Sequence, residues 1–407
     1  MKCRHCGQVT ALKFLDLGFA PPSNAYLTKE QLSEPETYFP LRLHVCAECW
    51  LVQTEDYARA AELFTADYAY FSSTSAGWVN HVDRYAADMI AKLELSRESF
   101  VVEIACNDGC LLENFVKAGI PCQGVEPTES TAAAAEGRGV PVLRRFFGEE
   151  LAQEMVNEGK QAELIAGNNV YAHVPDINDF TRGLKLLLKP GGCITLEFPH
   201  LMQLLEHNQF DTVYHEHFSY LSLYTVQRIF FEFGLRVWDV VALPTHGGSL
   251  RIFGCHADDP RDTSSRVDAM IKLEEGSQIR EMMTYENFQS RVNRVKDELL
   301  TFLVDAKRNG KRVAGYGAAA KGNTLINYAG VKADLLPFVC DAAPAKQGKY
   351  MPGSHIPILA PGALDQHDLD FLFILPWNIS SEIREAFSIL AERGTQFVTA
   401  IPEISLT

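Results

Sequence analysis

The chain has 407 residues, 47% of them apolar, with 37 basic and 52 acidic side chains and a formal net charge of -15. That length and composition predict a globular protein of two or three domains rather than a disordered one. The acidity excludes a broad nucleic-acid-binding surface, because phosphate contacts need Lys and Arg, and no run of about 18 apolar residues suggests a transmembrane helix.

The N-terminus, MKCRHCGQ, has no apolar run behind it, so neither a signal nor a transit peptide is expected and the cytoplasm is the default location. Cys3-x-x-Cys6 and Cys46-x-x-Cys49 supply two chelating pairs, the donor set of a closed, structural zinc site. Surface disulfides or free thiols are the alternative, and His5 and His44 stand close enough in sequence to substitute as ligands. The gap between the pairs predicts a small β insertion. The other six cysteines (Cys106, Cys110, Cys122, Cys193, Cys255 and Cys340) read as small core residues.

Three regions follow in chain order: 1–64 with the paired cysteines, 65–260, and 261–407. In the second, VVEIA is a strand, CLLENFVKAG a helix, PCQGVEP a strand, ELIAGNNV a strand, TRGLKLLLKPGG a helix and CITLEFP a strand. Strands alternating with helices predict a parallel, doubly wound α/β sheet. In the third, a long helix is predicted over 281–308, with Phe288, Val292, Val295, Leu299, Phe302 and Leu303 on its apolar face. The alternation then restarts as a second, smaller Rossmann-like lobe.

Two glycine-containing turns stand where such sheets bind ligands. In EIACNDG, Glu103 is placed to meet the amino group of a methionine-type ligand, and Asn107, Asp108 and Gly109 to let the backbone approach it. Glu126, with Pro127 beside it, is placed to hold two ribose hydroxyls, while Asn168 and Asn169 close the fourth strand. The set points to an adenosine-type cofactor. The alternative is a tight turn with Glu126 as a helix-cap neighbour. In GYGAAAKGN, Gly317, Lys321 and Asn323 suit a phosphate, with Lys321 facing a diphosphate. That turn equally suits a dinucleotide, or a helix-packing role with no ligand.

Between them, FDTVYHEHFSY gathers Tyr214, His215, Glu216 and His217 among apolar residues. Buried titratable groups are costly unless used or satisfied, so the segment reads as acid–base machinery or as core histidines paired with Glu216.

Taken together, Cys3/Cys6 with Cys46/Cys49, YAYFSSTS, EIACNDGCLL, NNVYAHVPD, EFPH, FDTVYHEHFSY, THGGSLR and GYGAAAKGN run from end to end in the order of the deoxysugar C-methyltransferases, and the chain resembles that family. The resemblance implies a zinc-binding N-terminal lobe, a Rossmann-like methyltransferase core for S-adenosylmethionine and a C-terminal Rossmann-like lobe that helps hold a dTDP- or GDP-linked 4-keto-sugar. It implies His217 as general base, Glu216 as its supporting carboxylate, Tyr214 and His173 in the active site together with Tyr68 or Tyr70, and His246 and Arg251 as substrate contacts. A monomer or weak dimer with no nucleic-acid or membrane partner is expected. A methyltransferase acting on oxygen or nitrogen, an NAD-linked sugar-nucleotide oxidoreductase and a non-enzymatic zinc-ribbon scaffold are the rival readings.

Overall fold

A computed structural model describes residues 1–57 and 71–407 of the chain. Tyr68 and Tyr70 lie outside the described residues. Three sheets organise the rest. In the N-terminal lobe, β1 (Leu12–Ala20), β2 (Phe39–Val45) and β3 (Val52–Thr54) form an antiparallel meander. Strand β1 buries Leu15 and Leu17 and leaves Asp16 half-exposed between them, the period-two pattern of a half-covered strand. Strands β1 and β2 are the insertion expected between the cysteine pairs, and β3 follows the second pair. The sheet's fourth strand, β9 (Ser219–Tyr220), comes from the middle of the chain and pairs with β3.

The central sheet has the order β10-β11-β8-β7-β4-β5-β6. Its parallel strands are β4 (Val101–Ile104), β5 (Cys122–Val125), β6 (Val142–Leu143), β7 (Ala162–Asn168) and β8 (Leu188–Pro199). Strand β11 (Ser249–His256) runs antiparallel to both β8 and β10 (Leu235–Leu243). All four residues of β4 are buried, as befits a parallel strand covered on both faces. From β4 the chain winds one way through β5 and β6, then the other way through β7 and β8. The crevice at that reversal, beyond the strands' carboxyl ends, is where doubly wound sheets take ligands.

The C-terminal lobe repeats the plan with β12 (Val313–Tyr316), β13 (Val339–Cys340), β14 (Ile358–Leu359), β15 (Phe371–Ile374), β16 (Gln396–Thr399) and β17 (Ser405–Leu406), in the order β14-β13-β12-β15-β16-β17. Only β17 is antiparallel to its neighbour.

The helix expected over 281–308 is split into Met282–Glu286 and Phe288–Arg308. The irregularity at Asn287 lets Tyr285 and Phe288 both face Phe14 of β1, with ring centroids 5.0 and 5.9 Å away. Five of the six predicted apolar positions are buried, and Phe302 packs on Phe371 at 5.0 Å. One hydrophobic cluster therefore runs from the N-terminal lobe into the C-terminal lobe. The helix Ser265–Gly276, beyond the expected boundary at 261, places Val267 and Met270 in the core of the central sheet. Among the described residues no helix is long and apolar enough to cross a membrane.

Candidate active site

The Sγ atoms of Cys3, Cys6, Cys46 and Cys49 all lie within 4.8 Å of one another. Cys3 to Cys49 is 3.4 Å and Cys6 to Cys46 is 3.5 Å, and none of the four is in a disulfide. A tetrahedral zinc with four thiolates needs sulfur separations of about 3.8 Å, so the four fit that ion with little adjustment. His5 bonds Asn178 (2.9 Å), and His44 bonds Glu55 (3.0 Å). Both histidines therefore have partners outside the cluster. The site is closed, as a structural metal requires.

A cavity of about 580 Å³ opens at the carboxyl end of the central sheet and reaches across to the C-terminal lobe. One wall is the turn after β4. Ala105, Asn107 and Gly109 have φ of 56°, 49° and 75°, all left-handed. Ala105 holds a left-handed conformation that favours glycine, at a cost of about 1–2 kcal/mol. Glu126 follows β5 and accepts from Asn107 N (3.0 Å), Thr128 N (2.9 Å) and Thr128 Oγ1 (2.5 Å). These bonds fix its carboxylate at the cavity wall. Asn168, at the end of β7, lines the cavity, and both side-chain polar atoms lack a hydrogen-bond partner. Glu103 is buried behind this wall, and its Oε2 is also unpartnered. Burial, helped by Asp108 and Glu126, pushes the Glu103 carboxyl well above its usual range, so a cation nearby would restore its charge. Unpartnered polar atoms at Asn168, a carboxylate pinned at the cavity wall and a left-handed turn beside it fit the amino-acid and ribose parts of S-adenosylmethionine. Ser72 N donates to Asn107 Oδ1 (2.9 Å), which ties the residues just before the helix Ala76–Lys92 to this turn.

The second wall is the Tyr214–His217 segment, which the N-terminal lobe holds in place. Thr54 Oγ1 donates to the His217 carbonyl (3.1 Å), and β3 pairs with β9 immediately after it. His217 Nδ1 lies 3.0 Å from the Thr212 carbonyl. A carbonyl only accepts, so Nδ1 carries the hydrogen and Nε2 keeps its lone pair. The rings of Tyr214 and His173 lie 4.0 and 4.5 Å from that of His217. Burial, then the neighbouring His173, hold His217 well below its ordinary pKa, and burial takes His173 down to about 4. Both rings are thus neutral near pH 7. A backbone carbonyl orients the His217 ring, while Asn24 Nδ2 grips Glu216 at 2.8 and 3.0 Å. His215 turns away, toward the Phe39 and Pro40 carbonyls, both at 3.3 Å.

The third wall joins two lobes. His246, in a left-handed conformation (φ 55°), accepts from Asn169 Nδ2 at 3.1 Å. Lys321 Nζ donates to Asn378 Oδ1 (2.9 Å) and approaches the His246 carbonyl (3.4 Å), above the Trp377 ring at 4.9 Å. Burial brings Lys321 down to about 8, with Asp211 opposing the shift. Ala319 and Ala320, at the start of the helix Ala320–Ala329, line the same cavity, and Lys346 stands beside them with its Nζ donating to the Ala318 carbonyl (2.9 Å).

Eleven of the predicted residues line the cavity: Asn107, Glu126, Pro127, Asn168, Asn169, His173, Tyr214, Glu216, His217, His246 and Lys321. Four others have packing or pairing partners elsewhere. A side chain at Gly109 would meet Ala135 Cβ at 2.9 Å, and one at Gly317 would meet Pro376 Cδ at 2.4 Å, so both glycines permit close packing. Arg251 is buried against Glu197, with Nε 2.6 Å from Oε1. Asn323 donates to the Ser23 carbonyl at 2.7 Å. The second glycine turn therefore opens onto the shared cavity through Lys321. Sequence reasoning missed Asn24, Trp78, Thr212, Phe146, Phe147, Lys346 and Asn378, all of which line the cavity. Phe146 and Phe147 signalled themselves as an apolar pair outside any element. Asn24 sits in the turn-rich FAPPSNAY, whereas Lys346 and Asn378 reach the cavity only through tertiary folding.

Family models match in three consecutive blocks: "Putative zinc binding domain" over residues 3–64, "Methyltransferase domain" over 78–240 and "C-methyltransferase C-terminal domain" over 244–402. C-methyltransferase NovU of Streptomyces niveus is 35% identical over 402 residues, covering 99% of this chain and 96% of NovU. A ubiquinone biosynthesis O-methyltransferase of Rhizobium etli (strain CIAT 652) is 28% identical over 98 residues, 23% of this chain and 38% of its own. The magnesium protoporphyrin IX methyltransferase ChlM of Synechocystis PCC 6803, solved with bound SAM, superposes at a TM-score of 0.34 with 16% identity, over 44% of this chain and 79% of its own. The NovU match spans all three lobes, the four cysteines and the cavity between them. The chain belongs to the C-methyltransferase family that includes NovU, with S-adenosylmethionine and structural zinc as its cofactors.

Proposed function

We propose that the chain methylates carbon 3 of a nucleotide-linked 4-keto-deoxysugar, by proton abstraction to an enolate followed by methyl transfer, in the making of a branched sugar. The observation that carries this is the orientation of His217: a buried imidazole with its Nδ1 hydrogen on the Thr212 carbonyl and Nε2 available, in the same cavity as Glu126 and Asn168. Transfer of methyl to oxygen or nitrogen has less need of such a group.

S-adenosylmethionine, when bound, supplies an electrophilic methyl on a sulfonium. A sugar carbon becomes a nucleophile only after losing a proton, and a ketone next to it makes that proton removable. His217 takes the C3 proton on Nε2, and the electron pair moves onto the C4 oxygen. Tyr214 or His173 donates a hydrogen bond to that oxygen as charge develops. Asn107, Glu126 and Asn168 hold the methyl donor, so that C3 meets it in a cavity shielded from bulk water. Lys321 and the first turn of Ala320–Ala329 receive the diphosphate, where a helix N-terminus and a cation act together.

The test supplies methyl-¹³C-labelled donor and a nucleotide-linked 4-keto-6-deoxysugar and identifies the product by NMR. A C–CH3 resonance coupled to sugar carbon 3 is expected. An O–CH3 or N–CH3 resonance would overturn the reading.

A further inference from the structure

Asn24 belongs to the N-terminal lobe yet lines the cavity, with its side-chain nitrogen 2.8 and 3.0 Å from the two oxygens of Glu216. Its neighbours in sequence are tied to the C-terminal lobe. Asn323 Nδ2 donates to the Ser23 carbonyl (2.7 Å), and the Tyr26 hydroxyl donates to the Ala318 carbonyl (2.5 Å). Leu27 then exchanges backbone bonds with Tyr350, at 3.0 and 2.8 Å. The segment is thus a strap drawn across the C-terminal lobe, and Asn24 is the point at which it reaches the central domain. A single amide bridging both oxygens fixes the plane of a carboxylate and favours its ionised form.

We propose that Asn24 is a positioning residue, which holds the Glu216 carboxylate ionised and aimed into the cavity, and that Asn323 serves the site by pinning the strap that carries it. The inference rests on the reading of the Tyr214–His217 segment as the acid–base site. It assigns to Asn323 a role different from substrate contact. Among the described residues, the titratable and charged groups around Glu216 are His173, which faces its backbone carbonyl, His217 and Tyr214 on the same segment, Tyr26 on the strap with Lys346 over its ring, and Lys321 in the same cavity.

The test is the pH dependence of kcat/KM for the acceptor in Asn24→Asp, Asn24→Ala and Asn24→Ser, with zinc content and thermal melting as controls. Asn24→Asp is isosteric at a half-buried position and keeps the fold. It sets a second carboxylate against Glu216, so one of the two must hold a proton. The acid limb should move to higher pH by about one unit in Asn24→Ala, a tenfold loss of activity below the limb, further in Asn24→Asp, and least in Asn24→Ser, which keeps a donor. A profile that falls in height but stays in place in all three variants would overturn the proposal, as would a larger displacement in Asn24→Ala than in Asn24→Asp. Failure of the underlying reading is distinguishable, because it appears as undiminished turnover in His217→Asn.

Discussion

His217 Nδ1 stands 3.0 Å from the Thr212 carbonyl, a backbone atom five residues upstream. The bond fixes the tautomer of a buried ring without placing a charge beside it. A carboxylate at that position would raise the basicity of the ring and favour its protonated form. With a neutral partner, and with His173 alongside, His217 remains an uncharged acceptor over the range in which enzymes work. The N-terminal lobe holds this geometry through Thr54 and through the pairing of β3 with β9.

Stability should fall on acidification because two histidines beside the cavity are kept neutral. Burial lowers both His173 and His246 from 6.5 to about 4. Each ring is shielded by protein but faces the cavity, so water entering there will moderate the effect. Between pH 6.5 and 4 the unfolded chain binds more protons than the folded one, so stability present above pH 6.5 is lost as pH falls. Denaturant unfolding at pH 7.5 and 5.0 should differ by about 2 kcal/mol for each of these histidines. His173→Gln and His246→Gln should each shrink that difference, and an unchanged difference in both would contradict the account.

The cofactor site can be probed at Glu126, whose carboxylate is pinned by Asn107 and Thr128. Glu126→Gln should weaken S-adenosylmethionine binding about 10- to 100-fold by calorimetry, the loss expected when hydrogen bonds to a charged group become neutral ones. Asn168→Ala should act in the same direction. Unaltered affinity in both would place the ribose and methionine parts elsewhere.

Lys321 should set the affinity for the acceptor's diphosphate. Burial brings it to about 8, so the empty site loses its cation as pH rises through 8. Acceptor affinity, measured by equilibrium binding, should therefore decline from pH 7 to pH 9. Lys321→Met should bind the acceptor about tenfold or more weakly at pH 7 and lose that pH dependence, with S-adenosylmethionine affinity unmoved. Equal losses for both ligands would assign Lys321 to packing.

The zinc site should matter to catalysis although it lies outside the cavity. Cys49→Ser should reduce metal content sharply by elemental analysis. Because β3 backs the segment that carries His217, it should also lower activity and expose that segment to hydrogen exchange. Protection of residues 214–220 that is unchanged after metal loss would separate the two.

Local signals made much of this readable in advance. The buried β4 strand, the left-handed turn after it and the cysteine spacing each declare themselves within a few residues, so the sheet, the turn and the metal site followed from pattern alone. Gly109 and Gly317 pack closely against Ala135 and Pro376, and because glycine serves close packing and ligand approach equally well, pattern alone does not separate the two. The partner of Arg251, Glu197, stands opposite it on the adjacent strand β8, a pairing that local pattern does not reveal. Asn24 was unreadable because its meaning lies in a residue 192 positions away.

The account's central claim is that His217 removes a proton from carbon before methyl transfer. Exchange of the acceptor's C3 hydrogen with deuterated water, followed by mass spectrometry or NMR in wild type and His217→Asn, tests it most directly. The account predicts exchange by the wild type, and in the variant a fall of about 10²–10⁴-fold in both exchange and methylation. Exchange and methylation at the wild-type rate in His217→Asn would contradict it.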